Sequence, residues 1–307
     1  MTTLTKPVTG STRSIVTAGA PYKPKAITSR GQKVSSFIVT AILIIGAIYC
    51  LVPIAWIIIA ATKSNGELFT TFTFAPGTGL WENIKALFAY EDHAFGYWCL
   101  NTVIYAGFGA VGSTLVSAMC GYGLAKYRFR GRKALYLVLL AGVLIPGITL
   151  AVPQYMLLSK LELTNTMAAV FIPSLISPFG IYLANVFALA SVPDEVIEAA
   201  RIDGAGEFRI FITMGLRMMF PGLVTIFLLQ FIGIWNNFML PFIMLSDDKL
   251  FPLTLGLYLM MNRGSTEAVL YTMTITGAAI SVIPLLGLVL YMQRFWRLDL
   301  LSGGLKG

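Results

Sequence analysis

The sequence predicts an all-α, polytopic membrane protein with six transmembrane helices, and three observations lead there. The 307-residue chain is 57% hydrophobic and 12% charged, with mean hydropathy +0.78. Soluble domains carry about 25% charged residues, so lipid is the expected solvent. Six uncharged runs fall at about 37–61, 98–125, 134–159, 167–190, 218–245 and 271–293. At ~1.5 Å per residue each can cross a hydrocarbon layer about 30 Å thick. None alternates apolar with polar residues as a barrel strand would, and an open strand in lipid would leave its backbone donors and acceptors unpaired. Each run is therefore expected to be a helix.

Residues 1–36 are rich in Thr, Ser, Pro and Gly and carry Lys6, Arg13, Lys23, Lys25, Arg30 and Lys33 with no acid. This is the composition of a flexible basic tail, and a transmembrane domain over 37–307 follows it. The first run, Phe37–Ala61, is too long for a signal-peptide core and reads as an uncleaved span. In the second run, Gly107-Phe-Gly109-Ala-Val-Gly112 satisfies the GxGxxG of dinucleotide sites, but no strand precedes it and no acid stands at the ribose distance. Small residues at that spacing instead let membrane helices approach closely. Prolines 53, 146, 153, 173, 178, 221, 241 and 284 fall within the runs. They predict kinks or breaks wherever neighbours or a cavity can satisfy the freed carbonyls. In the fifth run Trp235, Asn236 and Asn237 are expected at mid-span, where an indole and two amides could contact a substrate or serve as interhelical glue.

Of the 22 Lys and Arg, 17 lie in alternate segments, namely the tail, the 126–133 loop, the 191–217 loop and the C-terminal end. The positive-inside rule then places both termini and these two loops in the cytoplasm. The loop with Glu67, Glu82, Glu91 and Asp92 faces outward. The basic run from Lys126 to Lys133 is read as this orientation signal, not as a nucleic-acid site. All charged residues lie outside the six runs, which disfavours an ion-coupled carrier, since that class keeps ionisable groups in the membrane. An intramembrane enzyme is set aside, because no HExxH, paired carboxylates or nucleophile beside a base lies in the runs. Cys50, Cys99 and Cys120 are read as small hydrophobes and His93 as a solvated loop residue. No cofactor or metal is expected.

The loop over 191–217 is different from the rest, with five acids and three arginines in 27 residues and apolar positions at helical spacing. Pro193, Asp194 and Glu195 look like a helix start, because proline suits the first turn and acids there face the positive end of the helix dipole. Gly204 and Gly206 offer a break before a second helix through Phe208, Ile210 and Phe211. A helix resting on anionic lipid fits poorly with five acids.

Glu198-Ala-Ala-Arg-Ile-Asp-Gly-Ala205, with Val-Pro-Asp-Glu-Val before it and Phe211 and Pro221 after it, closely resembles the EAA motif of binding-protein-dependent ABC importer permeases. The resemblance implies a cytoplasmic coupling helix between spans 4 and 5, docking on a separate ATPase subunit through Glu198, Ala199, Ala200, Asp203, Gly204 and Ala205. The family pattern ends in Ile-x-Leu-Pro, where this chain has Met214-Gly-Leu-Arg217. Ala125–Arg132, Ile145-Pro146, Val152-Pro-Gln-Tyr155, Leu163-Thr-Asn-Thr166, Trp235-Asn236, Gln293-Arg-Phe-Trp and Gly303–Gly307 are similar to the maltose-type carbohydrate branch, in its MalG-like subunit. That similarity implies a permease domain over 37–307 in a bacterial-type plasma (inner) membrane. It also implies a second, different permease as heterodimer partner, ATPase subunits, an extracytoplasmic substrate-binding protein, and a sugar or related polyol as substrate. Trp235, Asn236 and Asn237 would line its pathway. Permeases for amino acids, peptides or phosphonates share the motif but not the carbohydrate-branch features. The chain has no GxxxxGK[ST], so ATP hydrolysis is expected on the partner.

Overall fold

The computed structural model describes residues 30–70, 74–263 and 268–303, and among them helix is the only regular secondary structure. The expected flexible tail lies outside the described residues as far as position 29; from Arg30 onward the chain is already helical. Contacts divide the chain after Leu51. In the first unit, the part of helix α1 (Arg30–Ala61) that precedes Val52 exposes Phe37, Ile42, Leu43, Ile45 and Tyr49, a surface suited to lipid.

The second unit is organised around α4 (Ala94–Lys126). Between α1 and α4 lie the short α2 (Asn65–Thr70) and α3 (Leu80–Ala89). The first turns of α4 hold the segment 248–253 by side chain to backbone bonds. Trp98 Nε1 donates to Asp248 O at 3.0 Å, Asn101 Nδ2 to Lys249 O at 2.7 Å, and Tyr105 OH to Leu250 O at 3.0 Å. These bonds tie the short 3-10 turn to α4; Asp248 O also accepts from Phe251 N at 3.2 Å.

Two helices pack along α4, α8 (Pro178–Ser191) and α11 (Leu216–Trp235). A Cβ at Gly121 would lie 2.5 Å from Ala184 Cβ and 2.6 Å from Asn185 N, so the α4–α8 crossing needs glycine there. Asn185 Nδ2 donates across it to Gly121 O at 3.3 Å. The GxGxxG stretch is a packing element at two of its glycines, where a Cβ would meet Ile234 from Gly109 and Leu175 from Gly112; Gly107 has open space.

Three of the six runs are interrupted. The third, expected as one span over 134–159, is a helix α5 (Arg132–Leu144) followed by a 3-10 turn at Gly147–Leu150 and α6 (Ala151–Lys160), with a bend of 102° between the two arms. Pro146 lacks an N–H and forces Ile145 into extended backbone at ψ 121°, so the helix stops before it. Counted by length and apolarity, five described helices can cross a membrane, and six if this bent pair is one span. The fourth run divides into α7 (Met167–Ser174) and α8. Pro178 sits at the start of α8, and Ser177 caps it by accepting from Gly180 N at 3.0 Å. The fifth run, expected over 218–245, ends its helix at Trp235 and resumes as α12 (Met239–Met244). Continued helix would drive the Pro241 ring against the carbonyl of Asn237. Trp235, Asn236 and Asn237 therefore stand at the end of a helix and not within a continuous one.

After a 3-10 turn at Asp248–Leu250 come α13 (Leu253–Arg263) and α14 (Ala268–Gly303), the last continuous through Pro284. Apolar side chains gather in two clusters, one around Phe95, Trp98, Met244 and Leu255 and the other around Tyr122, Ala184, Ile197 and Phe211.

Candidate functional site

The second cluster supports the segment singled out by sequence. Val192 is buried, Pro193 is extended, and α9 runs from Asp194 to Ile202. Ile197 and Ala200 are its buried positions, three residues apart and so on one face. Glu198, Ala199, Asp203 and Gly204 are exposed, and Ala205 is half-buried. Ala200 thus packs inward, against the expectation that both alanines face a partner. Ile202 is 86% exposed and Phe208 72%, so two large apolar side chains stand on the outer surface beside the motif's acids.

Gly204 ends α9 with φ +79°. Its N–H donates to Arg201 O at 3.0 Å, and Ala205 N donates to Ala200 O at 2.9 Å. This pair of bonds is the Schellman arrangement, in which a left-handed residue, usually glycine, lets the last carbonyls be satisfied. Ala205 packs on the cluster that holds Ala200, which supplies the apolar contact that accompanies such ends. The Asp-Gly-Ala sequence is thereby a structural stop.

Two ion pairs tie the segment down. Lys126 Nζ meets Asp194 Oδ1 at 2.8 Å, with the lysine side chain 5% exposed. Lys126 lies in the last turn of α4 and Asp194 in the first turn of α9, so each charge complements its own helix dipole. The hydrogen bond from Lys126 holds the Asp194 carboxyl below its ordinary pKa. Across the turn, Arg201 Nε and Nη2 donate to Glu207 Oε1 and Oε2 at 2.6 and 3.1 Å. This bidentate pair lowers the Glu207 carboxyl and raises the Arg201 guanidinium. Tyr127 follows α4 directly; burial, with the Glu207 carboxylate beside it, pushes its phenol up to about 12. Arg132 Nη2 donates to Ala125 O at 3.3 Å, closing the end of α4.

From Gly206 the chain turns into α10 (Glu207–Ile210), a π-helical turn at Phe211–Gly215, and α11 without a break. The predicted helix–turn–helix is present, and its second arm is the start of the fifth span. With Arg217 where the family pattern has proline, no helix stop falls at that position. A Cβ at Gly215 would lie 2.9 Å from the Tyr122 ring, and Phe211 packs on that ring at 5.1 Å between centroids. Movement of α9 thus has a packed route to both α4 and α11.

At the other end of α11 the three helix breaks meet. A cavity of ≈ 430 Å³ is lined by Ile145 and Gly147 from the first break, Ile176 and Ser177 from the second, and Asn237 and Met239 from the third.

Against this geometry, a family model described as binding-protein-dependent transport system inner membrane component matches residues 113–298. The chain belongs to this family. Among relatives of this permease, the arabinooligosaccharides transport system permease protein AraQ of Halalkalibacterium halodurans is 33% identical over 258 residues, covering 83% of this chain and 91% of its own. The diacetylchitobiose uptake system permease protein NgcG of Streptomyces coelicolor is 31% identical over 258 residues, covering 83% of each. The crystal structure of a bacterial ABC transporter involved in the import of the acidic polysaccharide alginate contains a chain of the same fold, with TM-score 0.74 at 22% identity over 90% of this chain and 99% of that one. The protein is a multi-pass membrane transport permease, not an enzyme.

Within the permease, Asn237 lines the cavity and its Oδ1 accepts from Leu240 N at 3.4 Å. Trp235 is buried and stacked on Phe231 at 5.4 Å, and Asn236 is exposed with its amide donating to Ile232 O at 2.9 Å. Of the three, geometry brings only Asn237 to the cavity. Sequence reading missed Gln154, Ser177 and Gln230, which share that cavity. An amide inside an uncharged run was the available signal.

Proposed function

We propose that this permease is one half of the channel of an ATP-driven importer. It pairs with a second, different permease and takes a sugar released by an extracytoplasmic binding protein. Its 37–307 permease domain spans the membrane with both termini in the cytoplasm. The element over 194–210 docks on a separate ATPase subunit through Glu198, Ala199, Asp203 and Gly204. Ala200 and Ala205 support it from beneath.

One observation carries this reading: Ile202 and Phe208 stand exposed on a turn defined by a helix stop and flanked by two ion pairs. Exposed apolar anchors rimmed by charge fit a protein cleft. The same element runs on into α11, so closure of the ATPase would be passed to the membrane helices as a rigid-body movement between two states. The sugar assignment draws support from relatives named for arabinooligosaccharides, diacetylchitobiose and lactose.

The test uses Ala199→Cys in the assembled importer, paired with cysteines in the ATPase cleft. A crosslink whose yield changes with nucleotide is expected. No crosslink in any nucleotide state, with the complex intact, rejects the docking role.

A further inference from the structure

We infer that the groove between α4, α11 and the C-terminal half of α14 binds an anionic phospholipid of the leaflet beside the 191–217 loop, with an acyl chain in the groove and the phosphate held by Arg217 and Arg294. The site is separate from the cavity at the helix breaks, and it does not depend on what the importer carries.

The groove has a volume of ≈ 420 Å³, and its lining includes Leu216, Phe220, Leu223 and Phe227 of α11, Leu115 of α4 and Met292 of α14. The α11 positions recur at spacings of four, three and four, so they form one stripe along that helix. From Leu216 to Phe227 the stripe runs about 16 Å at ~1.5 Å per residue, roughly half of a hydrocarbon layer about 30 Å thick. That is the depth of one leaflet. None of the lining residues is ionisable, and the hydroxyl of Thr114, which lines the groove, already donates to Ala110 O at 2.7 Å. A polar solute therefore finds nothing to bond along the stripe, whereas an acyl chain needs no such partner.

Positive charge stands at one end of this groove. Arg217 lies one turn before Phe220, on the side of the loop, and is exposed. Phe220 meets Phe295 at 5.9 Å between ring centroids, and the Arg294 guanidinium lies over the rings of Tyr291 at 3.9 Å and Phe295 at 4.8 Å. The two arginines thus flank one aromatic contact, each from its own helix. Among the described residues neither forms a salt bridge. Stacking on a ring orients a guanidinium while leaving its N–H edge open, and that edge matches two phosphate oxygens. Aromatic rings belong at the membrane–water interface, and the Lys and Arg count puts this end on the cytoplasmic side. Basic sites between membrane helices on that side take anionic headgroups. A zwitterionic lipid carries its own ammonium group and gains less from two cations. Arg217 also stands where the family pattern has proline, so the departure from that pattern supplies half of the site. It lies two residues past the π-helical turn that leads into α11, where a bound phosphate would fasten α11 to α14.

The experiment places the assembled importer in phosphatidylcholine vesicles with a trace of phosphatidylglycerol that bears a diazirine in one acyl chain, or the same chain on phosphatidylcholine, and maps the photo-adducts by peptide mass spectrometry. Phosphatidylglycerol should label the 216–227 and 111–115 stretches about tenfold more than phosphatidylcholine, since each arginine near an anionic headgroup contributes about fivefold. Arg217→Gln with Arg294→Gln should bring phosphatidylglycerol down to the phosphatidylcholine level while labelling by phosphatidylcholine stays unchanged, which a collapsed groove could not show. Equal labelling of the unaltered chain by the two lipids overturns the inference in favour of bulk lipid contact. Labelling of other spans but not of these stretches shows that protein covers the groove, and overturns it as well. The readout requires no transport, so either failure leaves the importer reading standing.

Discussion

A Cβ at Gly204 would have to adopt the left-handed backbone at φ +79°, at a cost of about 1–2 kcal/mol. Space is not the obstacle, since nothing lies within 4 Å of that Cβ; the strain is wholly in the backbone. Gly204→Ala is therefore expected to leave the permease at normal abundance in the membrane while ATP-coupled uptake falls about tenfold, as the turn is populated less. Gly121 makes the opposite case. There the backbone is helical and the space is absent, so Gly121→Val should separate α4 from α8 and abolish a monodisperse peak in detergent, whereas Gly107→Ala, which meets nothing within 4 Å, should be silent. The GxGxxG pattern could not tell these glycines apart, because spacing records which residues are small and not which face a neighbour.

The cytoplasmic element α9 with its turn is held by two ion pairs whose carboxylates are both depressed, Asp194 by Lys126 and Glu207 by Arg201. A carboxyl with a folded pKa below its unfolded value of about 4 contributes fully above that value and loses the contribution as pH falls through the folded pKa. The element should thus stay ordered at neutral and mildly acid pH and loosen only below the ordinary carboxylate range. Amide exchange at Gly204 and Ala205 in nanodiscs reads this directly, and protection lost already at pH 6 would contradict it. Exposed pairs add little stability, so Glu207→Gln is expected to weaken coupling far more than it lowers the thermal midpoint. Helix start, break and second helix were all legible here, in Pro193, the first-turn acids and Gly204. The inward turn of Ala200 was not, since Ala199 and Ala200 are chemically identical and only the phase set by Ile197 separates them.

For the whole molecule, hydropathy located every apolar run, yet it gave no hint that the interruptions at Pro146, Pro178 and Pro241 converge on one cavity. Each proline announces a break along the chain; the meeting of the breaks depends on the packing of α8 and α11 against α4. Charge, by contrast, is legible at this scale without any structure. With 17 of 22 Lys and Arg in alternate segments, moving the 126–133 and 191–217 loops to the outside would oppose the rule that sets membrane orientation. Once Cys50, Cys99 and Cys120 are replaced by serine or alanine, Asp92→Cys should react with a membrane-impermeant maleimide in intact cells, and Ala199→Cys only after the membrane is opened. The pattern must be read on both sites together, because Asp92 lies beside the Glu91–Arg263 pair and Ala199 on the proposed ATPase surface, where a bound partner could shield it. Labelling of Ala199→Cys from outside would place the α9 turn where no ATPase can reach it and would remove the coupling role along with the orientation.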